Sequence, residues 1–188
     1  MSDTAATRAV GRIEEISESE LADLCDATEA AIIDGGGFGW INPPSRRVLE
    51  RYWKGVLLIP GRSLFVARLD GDIVGSAQLS RPPRNNEAQA FAAAITTNFI
   101  APFARGHGLA RDLTVIVERA ARDDGFTVLT LDVRESQTAA IQLYESLGFE
   151  RWGTNPNYAV VDGEMIAGHY YAKKLTGDPP GIEGGRSP

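Results

Sequence analysis

The spacing of apolar and polar residues predicts eleven secondary-structure elements. Apolar positions recur at helical spacing in four segments, and in short runs or alternation typical of strands in seven. In chain order they predict a strand, two helices, three strands, a helix, a strand, a helix and two strands. The strands are expected at 8–16, 63–69, 72–79, 90–101, 126–133, 149–161 and 164–175, and the helices from Ser17, after Pro44, from Gly108 and at 137–147.

Capping and turn residues support these boundaries. Ser17 and Glu20 have the spacing of a capping box and predict the start of the first helix. Asp70-Gly71 and Asp162-Gly163 indicate hairpins, because both central residues of such a turn need positive φ. The apolar-rich run 126–133 is interpreted as a strand that is covered on both faces.

Length and composition are those of one globular domain. A chain of 188 residues can bury a sizeable core without disulfides. No internal repeat or second domain is visible, so 1–175 are expected to form the domain. The Gly/Pro-rich segment 176–188 is expected to be a disordered tail.

The net charge of −6 and the pI near 5.0 argue against a nucleic-acid partner, which requires a basic surface. They slightly favour a cationic substrate. No apolar run approaches the ~20 residues that cross a bilayer, which argues against a membrane partner. Residues 1–10 lack the apolar stretch of a signal peptide, so a cytoplasmic location is expected.

Cysteine and histidine usage argues against metal or disulfide chemistry. Cys25 is the single cysteine, and its spacing with Leu21 and Leu24 predicts an inert thiol on a packed helix face. Two histidines, His107 and His169, are too few for a histidine metal cluster. No metal is therefore expected.

The segment 99–110 has the pattern of an anion site. A strand ends, a short loop carries Arg105-Gly106-His107-Gly108, and a helix begins at once. Main-chain N–H groups at such a helix start point at a negative ligand, and the glycines allow close approach. The loop lacks the lysine of a Walker A motif, and a dinucleotide fingerprint starting at Gly106 would need glycine in place of Arg111.

A second pattern follows the predicted fifth strand, which contains Asp132. Ala140, Leu143, Tyr144 and Leu147 share one helix face, so the ring of Tyr144 is expected to be buried with its hydroxyl near the sheet. Periodicity alone would fit a purely structural tyrosine equally well.

Taken together, the two patterns resemble the GNAT (N-acetyltransferase) superfamily. Its coenzyme A loop reads Arg-X-X-Gly-X-Ala after a proline, here Arg105 to Ala110 after Pro102. Its second motif reads Asn-X-X-Ala-X-X-Leu-Tyr-X-X-Leu-Gly-Phe, here 137–149 with Gln137 in place of asparagine. The resemblance implies an α/β (α+β) fold with a central mixed, mostly antiparallel sheet of six or seven strands. This sheet would be splayed between strands four and five and flanked by about four helices.

The resemblance also implies a reaction and its site. Acetyl-CoA would be the co-substrate, and the acetyl group would pass to a primary amine by direct attack. Tyr144 would protonate the departing thiolate, and a main-chain N–H near Ile100 would stabilise the oxyanion. The implied coenzyme A contacts are Phe99, Ile100, Ala101, Arg105, Gly106, His107, Gly108, Leu109, Ala110, Gln137 and Ala140.

The base remains open at this stage. Many relatives carry a glutamate about six residues before the bulge position of the loop, and Ala94 stands there in this chain. The candidates are Asp132, Glu87, His169 and a water chain. Asp132 could equally fix a cationic acceptor or cap the next helix, and His169 could be a histidine at a sheet edge.

Acceptor and assembly also remain open. Features such as 76–80 and 170–175 resemble the tabtoxin-resistance type of acetyltransferase, which implies a small, amino-acid-like acceptor. The alternatives are a protein lysine or N-terminus as acceptor, or a non-catalytic acyl-CoA-binding module, motivated by Ala94 and Gln137. The aromatic loop 38–42 could contact substrate or only pin itself to the core. A homodimer is possible for such domains.

Overall fold

The computed structural model describes residues 6–36 and 38–175, so the tail predicted at 176–188 lies outside the described residues. Within the described ranges, four helices and seven strands follow the predicted order. Short 3-10 helices at Glu87–Gln89 and Pro102–Ala104 were not predicted. The elements are β1 Arg8–Ile13, α1 Glu18–Ile33, α2 Arg46–Leu58, β2 Arg62–Leu69, β3 Asp72–Ser80, β4 Ala92–Ile100, α3 Leu109–Asp123, β5 Val128–Arg134, α4 Thr138–Ser146, β6 Glu150–Val161 and β7 Glu164–Lys174.

Two predicted strands are too long: the first was expected to end at residue 16 but ends at Ile13, and the fifth was expected to begin at residue 126 but begins at Val128. In both cases apolar residues at a helix end were assigned to the neighbouring strand. Ile16 was placed in the first strand, but it precedes the Ser17 cap and packs in the same apolar cluster as Leu21, as in a hydrophobic staple. Phe126 was placed in the fifth strand. Its N–H donates to Ala121 O at 2.9 Å, so Phe126 belongs to the turn that ends α3.

The predicted caps and turns are confirmed. The capping box of Ser17 and Glu20 is formed, and it lowers the pKa of Glu20 to about 2 because Ser17 and then Arg68 donate hydrogen bonds to its carboxylate. Asp70 and Asp162 both have positive φ, each followed by a glycine that does too. Gly35 ends α1 with φ 81°.

The sheet has the order β1-β2-β3-β4-β5-β7-β6. Every neighbouring pair is antiparallel except β4 and β5, which are parallel. That parallel pairing covers only Ala92 to Ala94 on β4 and Val128 to Thr130 on β5. Beyond it the two strands separate, which confirms the expected splay and opens the sheet at its centre.

Helices cover both faces of the sheet. On β2, Phe65 and Ala67 belong to the apolar cluster that contains α3, whereas Leu64 and Val66 belong to the cluster that contains α1 and α2. This alternation follows from the two-residue period of a strand. Among the described residues, no helix combines the length and apolarity needed to span a membrane.

Candidate active site

The separation of β4 and β5 leaves a cleft of about 980 Å³. Its walls are the second half of β4 with the start of α3, and the end of β5 with the start of α4. The loop after α1 and the C-terminal end of β6 complete it. The predicted site residues that line it are Phe99, Ile100, Arg105, Gly106, Gly108, Leu109, Ala110, Asp132, Gln137, Ala140 and Tyr144.

Two predicted contacts, Ala101 and His107, do not line the cleft. Ala101 is fully buried, and its N–H donates to Val74 O at 2.8 Å, so this amide already has a partner. The His107 side chain is exposed, and its main-chain oxygen accepts a hydrogen bond from Arg8.

The start of α3 presents main-chain donors to the cleft. Gly106 and Gly108 have φ of 84° and 76°, which glycine adopts without strain. Gly108 caps the helix without a side-chain hydrogen bond. The N–H groups of Leu109 and Ala110 find no acceptor among the described residues, as expected for the first turn of a helix. These donors and the helix dipole fit the diphosphate of coenzyme A.

Ile100 supplies a further donor. Because Ala101 donates to Val74 on β3, the alternation of an antiparallel strand turns the Ile100 N–H the other way, towards the gap beside β5. The irregularity of β4 lies at Thr97, where φ is 51°. It is three residues after Ala94, so the expectation that Ala94 stands six residues before the bulge is wrong.

A buried polar network supports Thr97. Gln78 is fully buried, and its Nε2 donates to the Tyr52 hydroxyl at 3.1 Å, which lies 3.4 Å from Thr97 Oγ1. Positive φ is costly for a β-branched residue and persists only where neighbours hold it. Sequence reasoning missed this bulge because threonine is an ordinary strand residue.

Tyr144 is buried as predicted, and Asn98, which the sequence did not single out, fixes its hydroxyl. Asn98 Nδ2 donates to Tyr144 Oη at 3.2 Å and to Thr114 Oγ1 at 3.0 Å, while Thr114 donates to Ala110 O at 2.8 Å. Since Tyr144 accepts from Asn98, its own proton is left to point at the cleft. Burial raises the pKa of Tyr144 to about 12, and the Asn98 hydrogen bond only partly opposes this.

Asp132 lies on β5, in the same wall of the cleft as Tyr144 of α4, and accepts a hydrogen bond from Tyr158 of β6. The pairing of β6 with β7 is interrupted between Asn155 and Ala159, and this irregularity carries Tyr158 towards the cleft. The Tyr158 ring fits there because Gly168 on β7 has no side chain; an added Cβ would overlap the ring. Burial and then the Asp132 carboxylate raise the pKa of Tyr158, so it remains a donor.

The other base candidates lie outside the cleft. Glu87 is an exposed residue of the 3-10 helix that precedes β4. His169 lies on β7, between β5 and β6, so a position at a sheet edge is wrong. The His169 ring is buried and within 3.0 Å of Thr154 Oγ1. Cys25 is buried as predicted, and burial raises the pKa of its thiol to about 11.

The loop after α1 is attached to both walls. Asp34 forms an ion pair with Arg105 at 2.7 Å, Gln137 Nε2 donates to Gly35 O at 2.7 Å, and Arg134 donates to Phe38 O. The Phe38 ring is buried with its centroid 4.9 Å from that of Phe99. Phe38 therefore pins the loop to the core, and the same loop forms part of the cleft wall.

Comparison with known proteins agrees with this geometry. The profile of the acetyltransferase (GNAT) family matches residues 27–149. Over 128 residues the chain is 63% identical to an uncharacterized N-acetyltransferase in the hisH-hisA intergenic region of Azospirillum brasilense, covering 68% of this chain and 76% of that relative. The chain therefore belongs to the GNAT acetyltransferase family. It is an acetyl-CoA-dependent N-acetyltransferase of the GNAT type.

Solved structures share the fold. An N-acetyltransferase from Staphylococcus aureus Mu50 has a TM-score of 0.76 at 18% identity, covering 89% of this chain and 98% of that one. A GNAT superfamily phosphinothricin acetyltransferase from Sinorhizobium meliloti, in complex with AcCoA, has a TM-score of 0.73 at 20% identity, covering 92% of this chain and 89% of that one. At these identities the likeness concerns the fold alone.

Proposed function

We propose that this enzyme acetylates the primary amine of a small, amino-acid-like molecule by direct attack on the thioester. The supporting observation is one cleft that brings together the α3 amides, the Tyr144 hydroxyl and the Asp132 carboxylate. The likeness of 76–80 and 170–175 to the tabtoxin-resistance type agrees with such an acceptor.

The donor side of the cleft has the groups that acetyl-CoA needs. N–H groups from Gly106 to Ala110 would hold the diphosphate, and main-chain groups of Phe99 and Ile100 would pair with the pantetheine arm. Bound acetyl-CoA supplies an acetyl group that is activated as a thioester. The Ile100 N–H would stabilise the negative charge that develops on the carbonyl oxygen, and one such donor is typically worth ~3 kcal/mol of barrier height.

Two side chains of the cleft would divide the proton transfers. Asp132 would take the proton of the amine, directly or through a water molecule, while Tyr158 holds one of its oxygens. The amine nitrogen bonds to the carbonyl carbon and the carbon–sulfur bond breaks. Tyr144 would give its proton to the sulfur, so that a neutral thiol leaves.

The loop after α1 favours a small acceptor over a protein. The loop is bonded to Arg105 on one wall and to Arg134 and Gln137 on the other, so it spans the cleft between the two walls. A protein lysine or N-terminus would have to reach past this loop.

An amine panel tests the proposal. The purified protein is incubated with acetyl-CoA and a set of amino acids, their carboxamides, simple alkylamines and lysine-containing peptides, and thiol release is followed. We expect turnover with small amines that bear an amino-acid framework. Thiol release with the peptides and none with the small amines would overturn the acceptor class, and binding of acetyl-CoA with no release from any acceptor would overturn the reaction.

Substitution of Gly168 tests whether the hydrogen bond from Tyr158 to Asp132 supports the reaction. In Gly168→Ala the new Cβ would displace the Tyr158 ring, and we expect kcat/KM for the amine to fall about 10- to 100-fold, the worth of a hydrogen bond to a charged group. The KM for acetyl-CoA should be unchanged, because Gly168 itself does not line the cleft. Steady-state kinetics on both substrates measure this.

Gly153→Ala on β6 is the matched control, since its new Cβ would meet nothing nearer than Tyr170 Cδ2 at 3.9 Å. Tyr158→Phe should reproduce the loss seen with Gly168→Ala. Wild-type kinetics in Gly168→Ala, together with a shifted Tyr158 in its crystal structure, would show that Tyr158 does not support the reaction.

A further inference from the structure

Not every charged side chain in the cleft has a partner of opposite charge among the described residues. In the part of the chain that the structure describes, four acidic or arginine side chains line it: Asp34, Arg105, Asp132 and Arg134. Asp34 and Arg105 neutralise each other at 2.7 Å, and Asp132 accepts from Tyr158. Arg134 has no carboxylate within 4.0 Å among the described residues; its contact there is the hydrogen bond to Phe38 O.

This lack of a partner is notable for a half-buried guanidinium in a chain of net charge −6. A guanidinium carries five N–H donors in a planar fork that matches a carboxylate. One N–H of Arg134 is bonded to Phe38 O, and this bond orients the side chain at the base of the loop after α1. The remaining donors are available to an anionic ligand in the cleft.

Asp132 and Arg134 lie on the same face of β5. Leu129, Leu131 and Val133 alternate with them and are buried in the core on the other face. Residues two apart on a strand are about 6.5–7 Å apart at Cα, and their side chains extend in the same direction. The cleft therefore presents an anion and a cation side by side, which is the charge pattern complementary to an α-amino acid.

We propose that Arg134 binds the carboxylate of the acceptor whose amine lies at Asp132, so that the acceptor is a free α-amino acid. The inference deepens the proposed function and rests on it. A peptide N-terminus carries an amide carbonyl at this point, and the lysine of a protein carries no carboxylate near its ε-amine. Both would leave Arg134 without its partner.

Matched pairs of acceptors test the role of Arg134. Leucine, methionine, glutamine and phenylalanine are each compared with their own carboxamide, and kcat/KM is measured for wild type, Arg134→Gln and Arg134→Lys. The readout is the ratio of acid to carboxamide within each enzyme. The difference in amine pKa between acid and carboxamide cancels when this ratio is compared between enzymes.

We expect Arg134→Gln to lower the acid-to-carboxamide ratio about 10- to 100-fold, because a hydrogen-bonded charge partner is lost. The loss should appear in the KM for the acid, with kcat for the carboxamide retained. Arg134→Lys keeps the charge but not the fork, and should retain part of the ratio. Arg119→Gln removes an exposed arginine of α3 outside the cleft and controls for net charge.

The outcomes separate this inference from the proposed function. Turnover of acids and carboxamides with a ratio that Arg134→Gln leaves unchanged would overturn the carboxylate site and leave the small-amine function standing. Absence of turnover with every acid and carboxamide would overturn both. The KM for acetyl-CoA, expected at the wild-type value, and the thermal melting midpoint of each variant show whether the Phe38 loop is still in place.

Discussion

The Tyr144→Phe variant should lose about 10²–10⁴-fold in kcat while its KM for acetyl-CoA stays near the wild-type value. The substitution removes one oxygen and its proton from the cleft. The ring remains in its packing, where its centroid lies 5.8 Å from that of Phe149, so the fold should be retained. Without this proton the sulfur must leave as a thiolate, and only the chemical step should slow. Steady-state kinetics with a saturating amine measure the loss.

The pH dependence gives a second test of the same role. A raised pKa means that Tyr144 keeps its proton to higher pH than an ordinary tyrosine, up to about 12. The rate should therefore rise as the acceptor amine loses its proton and then hold a plateau through pH 10. A fall of kcat centred near the ordinary tyrosine value of about 10 would contradict the assignment, since it would report a phenol that titrates without the effect of burial.

Tyr171→Phe is the matched control for Tyr144→Phe. Tyr171 is fully buried on β7, and its hydroxyl donates to Glu145 at 2.9 Å outside the cleft. Its replacement should leave kcat unchanged and affect only stability. Equal losses in the two variants would attribute the effect to packing and remove Tyr144 from the chemistry.

The sequence was sufficient for features that depend on neighbours along the chain. The Ser17 cap, the Asp70-Gly71 turn and the glycines of the α3 loop each act within a few residues, and each lies where the pattern predicts. The gap beside β4 also followed, although from the family resemblance and not from periodicity.

Features that depend on distant segments could not be read in the same way. Asn98 and Tyr144 are 46 residues apart, and the three polar residues 96–98 within an apolar strand were the available signal. Tyr158 reaches Asp132 only through an irregular strand and the absent side chain of Gly168. His169 and Tyr170 are adjacent, and strand alternation puts their side chains on opposite faces of the sheet. The sequence does not say which of these two faces borders the cleft.

The Asp132→Asn variant should lose about 10²–10⁴-fold in kcat/KM for the amine, with the KM for acetyl-CoA retained. Asparagine has the same shape, and its oxygen can still accept from Tyr158, so the geometry of the wall should persist. What disappears is the negative charge and the capacity to take a proton. Kinetics at fixed, saturating acetyl-CoA measure the change, and Asp162→Asn, an exposed turn residue whose positive φ asparagine tolerates, is the control for charge.

The size of this loss should depend on the acceptor. An amine of low pKa is already uncharged at neutral pH and needs little help from a base, so Asp132→Asn should cost less with a carboxamide than with the corresponding amino acid. A loss of the same size for both would mean that Asp132 acts by attracting and orienting the acceptor. Wild-type activity with both would leave proton removal to water, and Asp132 would then be a support for Tyr158 alone.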